Sequence, residues 1–419
     1  MPLDLVVIGL GYVGLPLVRE ASRAGLRVAG LDIHTGLVAQ INAGRSHVDD
    51  ISDAELAEIL ATGFEATSDE SVIARASAVV ICVPTPLADD GSPDLGAVLS
   101  ATAAVARHLQ PGTLVVLEST TYPGTTEDLL RPALEAGGLR VGDDFFLAFS
   151  PERVDPGNPH FSTKNTPKIV GGVTAACTER ASAFYAQFID TVVPARGTKE
   201  AETAKLLENT YRHVNIALVN EMVKFCHTIG IDLWDVIRLA STKPFGFQAF
   251  YPGPGVGGHC IPIDPNYLSY SVHSQLGYPF RFVELAQEIN ATMPHYVARR
   301  VQNILNEDAL AVRGAKVLLL GVTYKPNIAD QRESPSLHVA QALAGLGAEL
   351  AYHDPYVDSW EVKGEPVERV TDLAAGTASS DIVVLLQNHS VYDAEALALA
   401  SKRFFDTRGA TTSDNAHRL

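Results

Sequence analysis

The sequence predicts an α/β protein made of two doubly wound domains, joined by a long central helix and a helical middle domain. Three observations carry this prediction. Strand-like apolar runs alternate with helical patterns towards both ends of the chain, a glycine-rich turn follows the first run, and one unusually long helical pattern lies between. We expect the domains to cover residues 1–200, 201–305 and 306–419.

The first unit begins with an apolar run, Leu3 to Ile8, whose β-branched bias is typical of a buried strand. A glycine turn and a helical pattern ending at Gly25 follow. Leu26 to Leu31 then predicts a second strand. The order strand, turn, helix, strand is that of a Rossmann-like dinucleotide-binding unit.

The turn of this unit has the spacing Gly-x-Gly-x-x-Gly. Gly9 permits the tight turn, Gly11 lets a pyrophosphate approach the backbone, and Gly14 lets helix and strand pack closely. The helix N-terminus supplies partial positive charge to the phosphates. Asp32 follows the second strand, where a carboxylate bonds the ribose hydroxyls and repels a 2′-phosphate. We therefore predict NAD rather than NADP.

Further strand-like runs predict that the first sheet continues in parallel, at residues 78–83, 113–117, 145–149 and 168–170. Ligands of such a sheet gather at the carboxyl ends of its strands. Thr120 and Glu152 follow two of those ends. Because Ser, Thr and Pro are also ordinary turn residues, turn chemistry is the alternative to a ligand-lining role.

The central helical pattern runs from Thr203 to about Ile229. Lys205 and Asn209 share one face at i, i+4, with Arg212 nearby. A solvated face is the usual explanation for such side chains. The helix also contains three asparagines, which are poor interior choices and suggest polar work inside the protein: Asn209, Asn215 and Asn220. A helix of this length suits a bridge between domains and a dimer surface.

The stretch from Tyr251 to Tyr267 combines several glycines with Cys260 and, four residues later, Asp264. The glycines suit a loop that closes around a ligand. Taken alone, the loop leaves two alternatives for Cys260, a small buried thiol and a nucleophile. His259 with Cys260 and Asp264 is a poor ligand set for a metal, so we expect none.

The C-terminal part predicts a helix from Phe280 to Leu305 and then a second α/β unit. Its first strand, Ala315 to Leu320, leads into a turn that contains Lys325 and lacks the Gly-x-Gly-x-x-Gly pattern. Two more strands follow at residues 348–352 and 381–386. The tail from Ala410 is polar, and we expect it to be mobile.

The composition excludes several classes of partner. The net charge is −17, from 32 basic and 49 acidic side chains, which argues against nucleic acid but allows an anionic small molecule. No apolar run reaches the ~18 residues of a membrane span, and the first residues do not resemble a signal peptide. The 4 cysteines are far apart, which favours neither zinc nor a disulfide framework. We expect a cytoplasmic protein without membrane contact.

Together these blocks resemble the nucleotide-sugar 6-dehydrogenases, the UDP-glucose and UDP-N-acetylhexosamine dehydrogenases. The resemblance covers essentially the whole chain, in matching order: Gly-Leu-Gly-Tyr-Val-Gly (9–14), Val-Pro-Thr-Pro (83–86), Glu-Ser-Thr (118–120), Ser-Pro-Glu-Arg (150–153), the 205–221 helix, Gly-Pro-Gly-Val-Gly-Gly-His-Cys-Ile-Pro-Ile-Asp (253–264), and Lys-Pro-Asn followed by Asp-x-Arg-x-Ser (325–334). It implies two oxidations of the sugar C6 alcohol to a uronic acid, with NAD in the N-terminal domain, the nucleotide diphosphate in the C-terminal domain, and a homodimer built on the long helix.

The resemblance also implies roles for individual residues. Cys260 would be the nucleophile, Lys205 and Asp264 would assist proton transfer, Asn209 would hold the developing oxyanion, and Glu152 and Thr120 would position water and substrate. The expected NAD contacts are Gly9, Gly11, Tyr12, Val13, Gly14, Asp32, Thr85, Thr120 and Arg332. The expected substrate contacts are Glu152, Arg153, Lys205, Asn209, Arg212, Phe250, Tyr251, Gly257, Gly258 and Lys325.

One segment departs from part of the family. Residues 243–255 resemble the UDP-N-acetylglucosamine branch, and residues 246–249 stand where some relatives carry an arginine that reaches across the dimer. The choice between glucose and N-acetylhexosamine, and between uracil and thymine, stays open. Three other functions also stay open: a two-electron dehydrogenase of the hydroxyacid or 6-phosphogluconate type, which needs no Cys260, an idle ligand-binding regulator, and a structural scaffold.

Overall fold

The computed structural model describes residues 2–48, 50–88, 91–154, 158, 160–258, 261 and 263–419. His259 and Cys260 therefore lie outside the described residues. The chain forms two compact units. The first comprises residues 1–208 and 266–278, and the second comprises residues 209–265 and 279–419. No helix of the described residues is long and apolar enough to cross a bilayer.

The first unit contains an eight-stranded sheet in the order β3-β2-β1-β4-β5-β6-β7-β8. Its strands are β1 Leu3–Ile8, β2 Val28–Leu31, β3 Glu65–Thr67, β4 Ala76–Ile81, β5 Leu114–Leu117, β6 Phe146–Phe149, β7 Lys168–Gly172 and β8 Val192–Pro194. Successive residues of β1 pack into separate apolar clusters, Leu5 and Val7 in one and Val6 and Ile8 in the other. Both faces of the sheet are thus buried, which explains the continuous apolar runs.

The helices of this unit are α1 Gly14–Arg23, α2 Thr35–Asn42, α3 Asp53–Ala61, α4 Gly96–His108, α5 Arg131–Glu135 and α6 Ala175–Tyr185. A 3₁₀ turn covers Glu70–Arg75 and a π-helical turn covers Thr126–Leu130. Several helices begin with a side-chain cap. Before α3, the Ser52 hydroxyl accepts from the Glu55 N–H while the Glu55 carboxylate accepts from the Ser52 N–H.

The prediction of a wholly parallel first sheet is wrong at one position. β7 runs antiparallel to β6, with Phe149 opposite Gly171, whereas the other pairs of the sheet are parallel. The apolar composition of β7 suits either direction, and its direction depends on the strands that it pairs with. The reversal places the first residue of β7 beside the carboxyl end of β6.

Two helices extend over both units. The predicted central helix is confirmed as α7, Thr198–Thr228, and α9 covers Asp264–Leu276. The other helices of the second unit are α8 Leu233–Ala240, α10 Arg281–Glu307, α11 Pro335–Leu346, α12 Leu373–Ser379 and α13 Ala394–Ala400.

The second unit has its own six-stranded parallel sheet, in the order β13-β10-β9-β14-β15-β16. The strands are β9 Lys316–Leu320, β10 Glu349–His353, β13 Glu368–Arg369, β14 Ile382–Leu385, β15 Phe404–Asp406 and β16 Ala416–Arg418, and a hairpin joins β11 Glu361–Val362 to β12 Glu365–Pro366. A sheet in each unit confirms the α/β prediction.

The expectation of a mobile tail is wrong. β16 pairs in parallel with β15, and the Leu419 N–H donates to the Asp406 carbonyl oxygen at 3.0 Å. Arg300 donates to the Arg418 carbonyl oxygen at 3.0 Å. The polar sequence misled the prediction because the segment gains its order from backbone pairing at a sheet edge rather than from apolar side chains.

Candidate functional site

The glycine turn of the first unit has the three features that its spacing predicts. Gly9 has a φ of +90°, which L side chains rarely adopt. A methyl group at Gly14 would lie 1.9 Å from the Gly9 carbonyl oxygen, so only glycine allows α1 to start this close to the turn. At Gly11 an added methyl group would meet no atom within 4 Å. The turn is thus closed at Gly9 and Gly14 and open at Gly11, where a phosphate would approach.

Asp32 connects the end of β2 to this turn. One carboxylate oxygen accepts from the Leu10 N–H at 3.0 Å, and the other accepts from the His34 N–H at 2.9 Å. Each oxygen keeps a further lone pair for a ribose hydroxyl. Tyr12 is partly exposed and Val13 half-buried in the same turn. These residues fit a dinucleotide, with the pyrophosphate at the open glycine and the ribose at Asp32.

Two predicted threonines follow strands of the same sheet. Thr85 lies after β4, and its carbonyl oxygen accepts from the Tyr267 hydroxyl at 3.0 Å. Thr120 lies half-buried after β5. Its neighbour Ser119 donates to the Val83 carbonyl oxygen at 2.7 Å, which ties the two strand ends together. Both threonines therefore lie at the edge of the sheet where β1 leads into the glycine turn.

The structure brings Glu152 and Lys205 together in the first unit. The Lys205 ammonium donates to the Glu152 carbonyl oxygen at 2.6 Å. The Glu152 carboxylate accepts from the backbone N–H groups of Arg153 and Val154. The Arg153 guanidinium is engaged by Glu208 at 2.6 Å. In this conformation Arg153 therefore braces the loop after β6, and substrate contact would require it to leave Glu208.

A buried ion cluster beside Glu152 was not predicted from the sequence. Lys168 lies 3.1 Å from Glu118 and 3.7 Å from Glu152. Burial raises the pKa of Glu118. Burial lowers the pKa of Lys168, but the two carboxylates outweigh it and hold that pKa above its usual value. The available signal was a charged residue at the end of an apolar strand, because Lys168 is the first residue of β7 and Glu118 directly follows β5.

In the second unit, the Asn209 amide of α7 donates to the Asp264 carboxylate at the start of α9. Asp264 is 3% exposed, so the contact is shielded from solvent. The structure thus brings together two of the predicted catalytic residues. Cys260 precedes Asp264 by four residues in the sequence, and its own position lies outside the described residues.

The glycines before Cys260 have a packing role that the sequence did not suggest. A methyl group at Gly257 would lie 2.6 Å from the Glu333 carbonyl oxygen, and one at Gly258 would lie 3.0 Å from the Tyr324 ring. The Gly258 N–H donates to the Glu333 carbonyl oxygen at 3.3 Å. These two glycines therefore let the loop lie directly on the segment that follows β9.

Asparagines in the middle of this unit also hold the loop. The buried Asn220 side chain accepts from the Gly253 N–H at 3.0 Å and donates to Asn290 at 2.9 Å. Asn215 instead donates to the Tyr211 carbonyl oxygen on the exposed side of α7. Of the three asparagines, Asn209 and Asn220 thus do polar work in the interior.

The remaining predicted substrate residues are spread over the second unit. Phe250 packs edge-on against Tyr211, and Tyr251 stacks on Trp234 with the ring centroids 5.6 Å apart. The Tyr211 hydroxyl also donates to Gln248 at 3.0 Å, which holds the segment of residues 243–255 on α7. Arg212 is exposed on α7 and Lys325 is half-buried after β9. Arg332, the expected NAD contact of this unit, forms an ion pair with Asp330 at 2.8 Å.

Arg408 is a further cation of the second unit that the sequence analysis missed. It donates to the Leu386 carbonyl oxygen at 2.6 Å, and a methyl group at Gly253 would lie 3.1 Å from its guanidinium. Burial lowers its pKa to about 10, so it stays charged at neutral pH. It follows β15, just before the tail that was expected to be mobile, so nothing in its sequence context indicated a buried role.

Comparisons with known proteins cover nearly the whole chain. Three domain models of the UDP-glucose/GDP-mannose dehydrogenase family match: the NAD binding domain at residues 3–189, the central domain at 199–292 and the UDP binding domain at 318–413. A UDP-N-acetyl-D-mannosamine dehydrogenase of Methanococcus maripaludis is 34% identical over 416 residues, covering 96% of this chain and 92% of the relative. A UDP-N-acetyl-D-glucosamine 6-dehydrogenase of Pseudomonas aeruginosa is 34% identical over 404 residues, covering 96% and 91%.

The solved structures give the same picture. A UDP-D-ManNAc dehydrogenase of Pyrococcus horikoshii matches with a TM-score of 0.89 and 32% identity, over 99% of each chain. An NDP-N-acetyl-D-galactosaminuronic acid dehydrogenase of Methanosarcina mazei matches with a TM-score of 0.82 and 29% identity, over 100% of this chain and 95% of the other.

Proposed function

The chain belongs to the UDP-glucose/GDP-mannose dehydrogenase family, and from this premise we propose that it oxidises the C6 alcohol of a UDP-N-acetylhexosamine to the uronic acid. The resemblance seen in the sequence is thereby confirmed, and the chain is an NAD-dependent oxidoreductase of a nucleotide sugar. The observation that carries the finer proposal is the contact of Asn209 with the buried Asp264, four residues after Cys260. A two-electron hydroxyacid dehydrogenase would need no Cys260.

The open turn at Gly11 and the carboxylate of Asp32 are the residues that we propose to hold NAD. Tyr12 and Val13 lie in the turn itself, and Thr85 and Thr120 line the same edge of the sheet. When bound, NAD supplies the acceptor for the two electrons and the hydrogen that leave C6 in each oxidation.

We propose covalent catalysis by Cys260 in the second oxidation. Its thiolate adds to the C6 aldehyde to form a thiohemiacetal, which is oxidised to a thioester, and water then releases the acid and the thiol. A cysteine suits this task because it forms appreciable nucleophile near neutral pH. Asn209 would donate its amide to the developing oxyanion, while Lys205 and Asp264 would carry the protons of C6 and water. Glu152 and Thr120 would orient the hydrolytic water.

The identity of the sugar rests on two kinds of support. Relatives over nearly the full chain are named for UDP-N-acetyl-D-mannosamine and UDP-N-acetyl-D-glucosamine. The segment of residues 243–255 also resembles the UDP-N-acetylglucosamine branch. We therefore rank UDP-N-acetylhexosamines above UDP-glucose and dTDP-glucose. Phe250, Tyr251, Lys325 and Arg212 are the side chains of the second unit that we propose to contact the nucleotide sugar.

We also propose that the chain forms a homodimer through α7. In its second-unit part, this helix exposes apolar side chains at helical spacing: Tyr211, Leu218, Met222 and Phe225. An apolar stripe of this kind is typical of a surface that a partner covers. A dimer would have twice the 44.7 kDa mass of one chain in light scattering.

The cytoplasm, our proposed location, suits the free thiols Cys82, Cys177 and Cys226.

The experiment that tests the catalytic proposal is NADH release from a panel of nucleotide sugars: UDP-N-acetylmannosamine, UDP-N-acetylglucosamine, UDP-N-acetylgalactosamine, UDP-glucose and dTDP-glucose. We expect about two NADH for each UDP-N-acetylhexosamine consumed. Cys260→Ser should abolish acid formation, while the control Cys226→Ser, a buried thiol of the second unit, should retain it. One NADH per sugar, or normal acid formation by Cys260→Ser, would refute the covalent four-electron mechanism.

A further inference from the structure

The antiparallel strand of the first sheet brings an additional charge to the catalytic edge. Phe149 of β6 lies opposite Gly171 of β7, and continuing this register puts Lys168 opposite Glu152. The Ser150 hydroxyl fastens the pair by donating to the Ile169 carbonyl oxygen at 2.8 Å. Strands β1 to β6 contribute their carboxyl ends to this edge, whereas β7 contributes its first residue.

The ammonium of Lys168 is held on three sides. It lies 3.1 Å from Glu118, 3.7 Å from Glu152, and 5.0 Å from the centre of the Tyr185 ring. The second oxygen of Glu118 accepts from the Tyr185 hydroxyl. Lys168 is 5% exposed and Glu118 1% exposed, so this cluster is largely shielded from water.

Glu152 differs from Glu118 because it reaches solvent, with 17% of its side chain exposed. One of its carboxylate oxygens accepts from the N–H groups of Arg153 and Val154, at 2.8 Å and 2.6 Å. The other oxygen is the one that faces Lys168. The carboxylate is therefore fixed in orientation, with one oxygen bound to backbone and one beside a cation.

The charges around Glu152 show what Lys168 does there. Among the described residues, Lys168 faces the Glu152 carboxylate, and Glu118 and Cys82 interact with it electrostatically. Lys205 contacts the Glu152 carbonyl oxygen instead, and the Arg153 guanidinium is engaged by Glu208. Glu118 would otherwise be a buried like charge beside Glu152, and two such carboxylates share a proton. Lys168 lies 3.1 Å from one carboxylate and 3.7 Å from the other, so its charge offsets the repulsion between them.

We propose that Lys168, anchored by Glu118 and Tyr185, is a positioning residue that holds the Glu152 carboxylate in the orientation required by the hydrolytic water. This inference rests on the proposed function, in which Glu152 serves the release of the acid. Lys168 touches neither the substrate nor the cofactor in this assignment, and it acts through Glu152 alone.

The test compares the pH dependence of kcat in the full-length variants Lys168→Met and Glu118→Gln, with the best nucleotide sugar of the panel. In Lys168→Met, the Glu152 carboxylate loses the cation beside it, so the acid limb of the profile should move to higher pH. If the limb moves by about one pH unit, the rate at a fixed pH on it falls about tenfold. In Glu118→Gln, the negative charge of Glu118 is removed while Lys168 stays beside Glu152, so the acid limb should move to lower pH. KM for the sugar should stay within about twofold in both, because the change affects hydrolysis rather than binding.

Two further variants separate positioning from folding. Lys168→Met leaves Glu118 buried and unpaired, which is strongly destabilising. The double variant Lys168→Met/Glu118→Gln leaves no unpaired buried carboxylate, so it should fold while its acid limb stays at higher pH. Lys168→Arg keeps the cation and should keep the acid limb of the wild type. Circular dichroism and the melting temperature report whether each variant is folded.

The opposite shifts of the two single variants are the decisive result. An unchanged acid limb in folded Glu118→Gln would overturn the proposal even if Lys168→Met did not fold. An unshifted acid limb in the folded double variant would also overturn it. Absence of NADH from the wild-type protein with every sugar would instead contradict the proposed function, so the two failures are distinguishable.

Discussion

In both α/β units, the first strand ends at a glycine with a positive φ. β1 leads into Gly9 with a φ of +90°, and β9 leads into Gly321 with a φ of +74°. A methyl group at either glycine would strike a backbone carbonyl oxygen, that of Cys82 at 2.8 Å or that of Gln387 at 2.2 Å. Both chain segments must therefore turn through glycine.

The second strand of each unit is followed by an aspartate that secures this turn. Asp32 accepts from the Leu10 N–H at 3.0 Å, and Asp354 accepts from the Val322 N–H at 2.8 Å. In both units the accepted N–H belongs to the residue directly after the glycine. The correspondence is structural, because only the first turn has the Gly-x-Gly-x-x-Gly spacing.

The two aspartates differ in what else they bind. Asp32 has backbone partners and is 9% exposed, whereas Asp354 is 0% exposed and accepts from His389 at 3.0 Å. His389 also accepts from the Asn327 N–H through its other ring nitrogen, at 2.9 Å, which fixes the proton on the nitrogen facing Asp354. In the second unit the acid thus serves the turn around Lys325. In the first unit it can still serve a ribose.

Removing each aspartate in turn tests whether the two differ in their contribution to stability, and the larger effect is expected at Asp354. Asp354→Ala leaves His389, Val322 N–H and Tyr356 N–H without their acceptor in the interior, and should destabilise the second unit by about 3–5 kcal/mol. Both tryptophans, Trp234 and Trp360, lie in that unit, so urea unfolding followed by tryptophan fluorescence measures it.

Asp32→Ala is the matched control for this measurement. It leaves two backbone N–H groups without an acceptor, in the unit that contains no tryptophan. The urea midpoint seen by fluorescence should therefore move much less than in Asp354→Ala. Equal midpoints for the two variants would show that the second aspartate has no special structural role.

A smaller effect concerns the cofactor. Asp32→Ser removes the charge that we propose to bond the ribose and repel a 2′-phosphate, so NAD affinity should fall about ten- to hundredfold, the equivalent of roughly 1.5–3 kcal/mol. The ratio of NADP to NAD binding should rise at the same time. Fluorescence titration with NADH and NADPH measures both, and Asp143→Ser, at an exposed aspartate of the same unit, controls for charge alone. An unchanged ratio would remove Asp32 from cofactor selection.

The smallest effect concerns acid. His353 stands on β10 opposite Leu320, the place that Leu31 takes opposite Ile8 in the first unit. Burial lowers the pKa of His353 from 6.5, so the unfolded chain takes up a proton more readily than the folded one. Its contribution to stability is present above pH 6.5 and is lost as the pH falls below that value.

His353→Gln should therefore make the fluorescence-detected stability of the second unit less dependent on pH as the pH falls below 6.5. His338→Gln, at an exposed histidine of α11, is the control. If both variants followed the wild-type curve, His353 would not be a source of the acid sensitivity.

The sequence predicted most reliably those elements whose local pattern and tertiary role agree. β1 was predicted with its observed bounds because an apolar, β-branched run ends directly at a glycine turn. The long helix was likewise clear from its periodicity. The contact of Asn209 with Asp264 joins residues distant in the chain, so no spacing predicted it, and the family resemblance gave each residue only a separate catalytic role.

Direction and burial of single residues were beyond the sequence. Nothing in residues 168–172 distinguishes a parallel from an antiparallel strand, since the difference lies in the partner. Lys168 and Arg408 resemble ordinary surface cations in the sequence because the groups that compensate their burial lie elsewhere in the chain. β16 lacks an apolar run and depends on the backbone of β15.

Because β7 runs antiparallel to β6, the surroundings of Glu152 depend on the register between these two strands. In a doubly wound fold, function usually varies in loops, which change without disturbing the sheet. Here the residue opposite Glu152 is chosen by the alignment of two strands. A slip of a single position would present Pro167 or Ile169 in place of Lys168 and turn the side chains to the other face. Correct pairing of β6 with β7 during folding is therefore needed to place Lys168 beside Glu152.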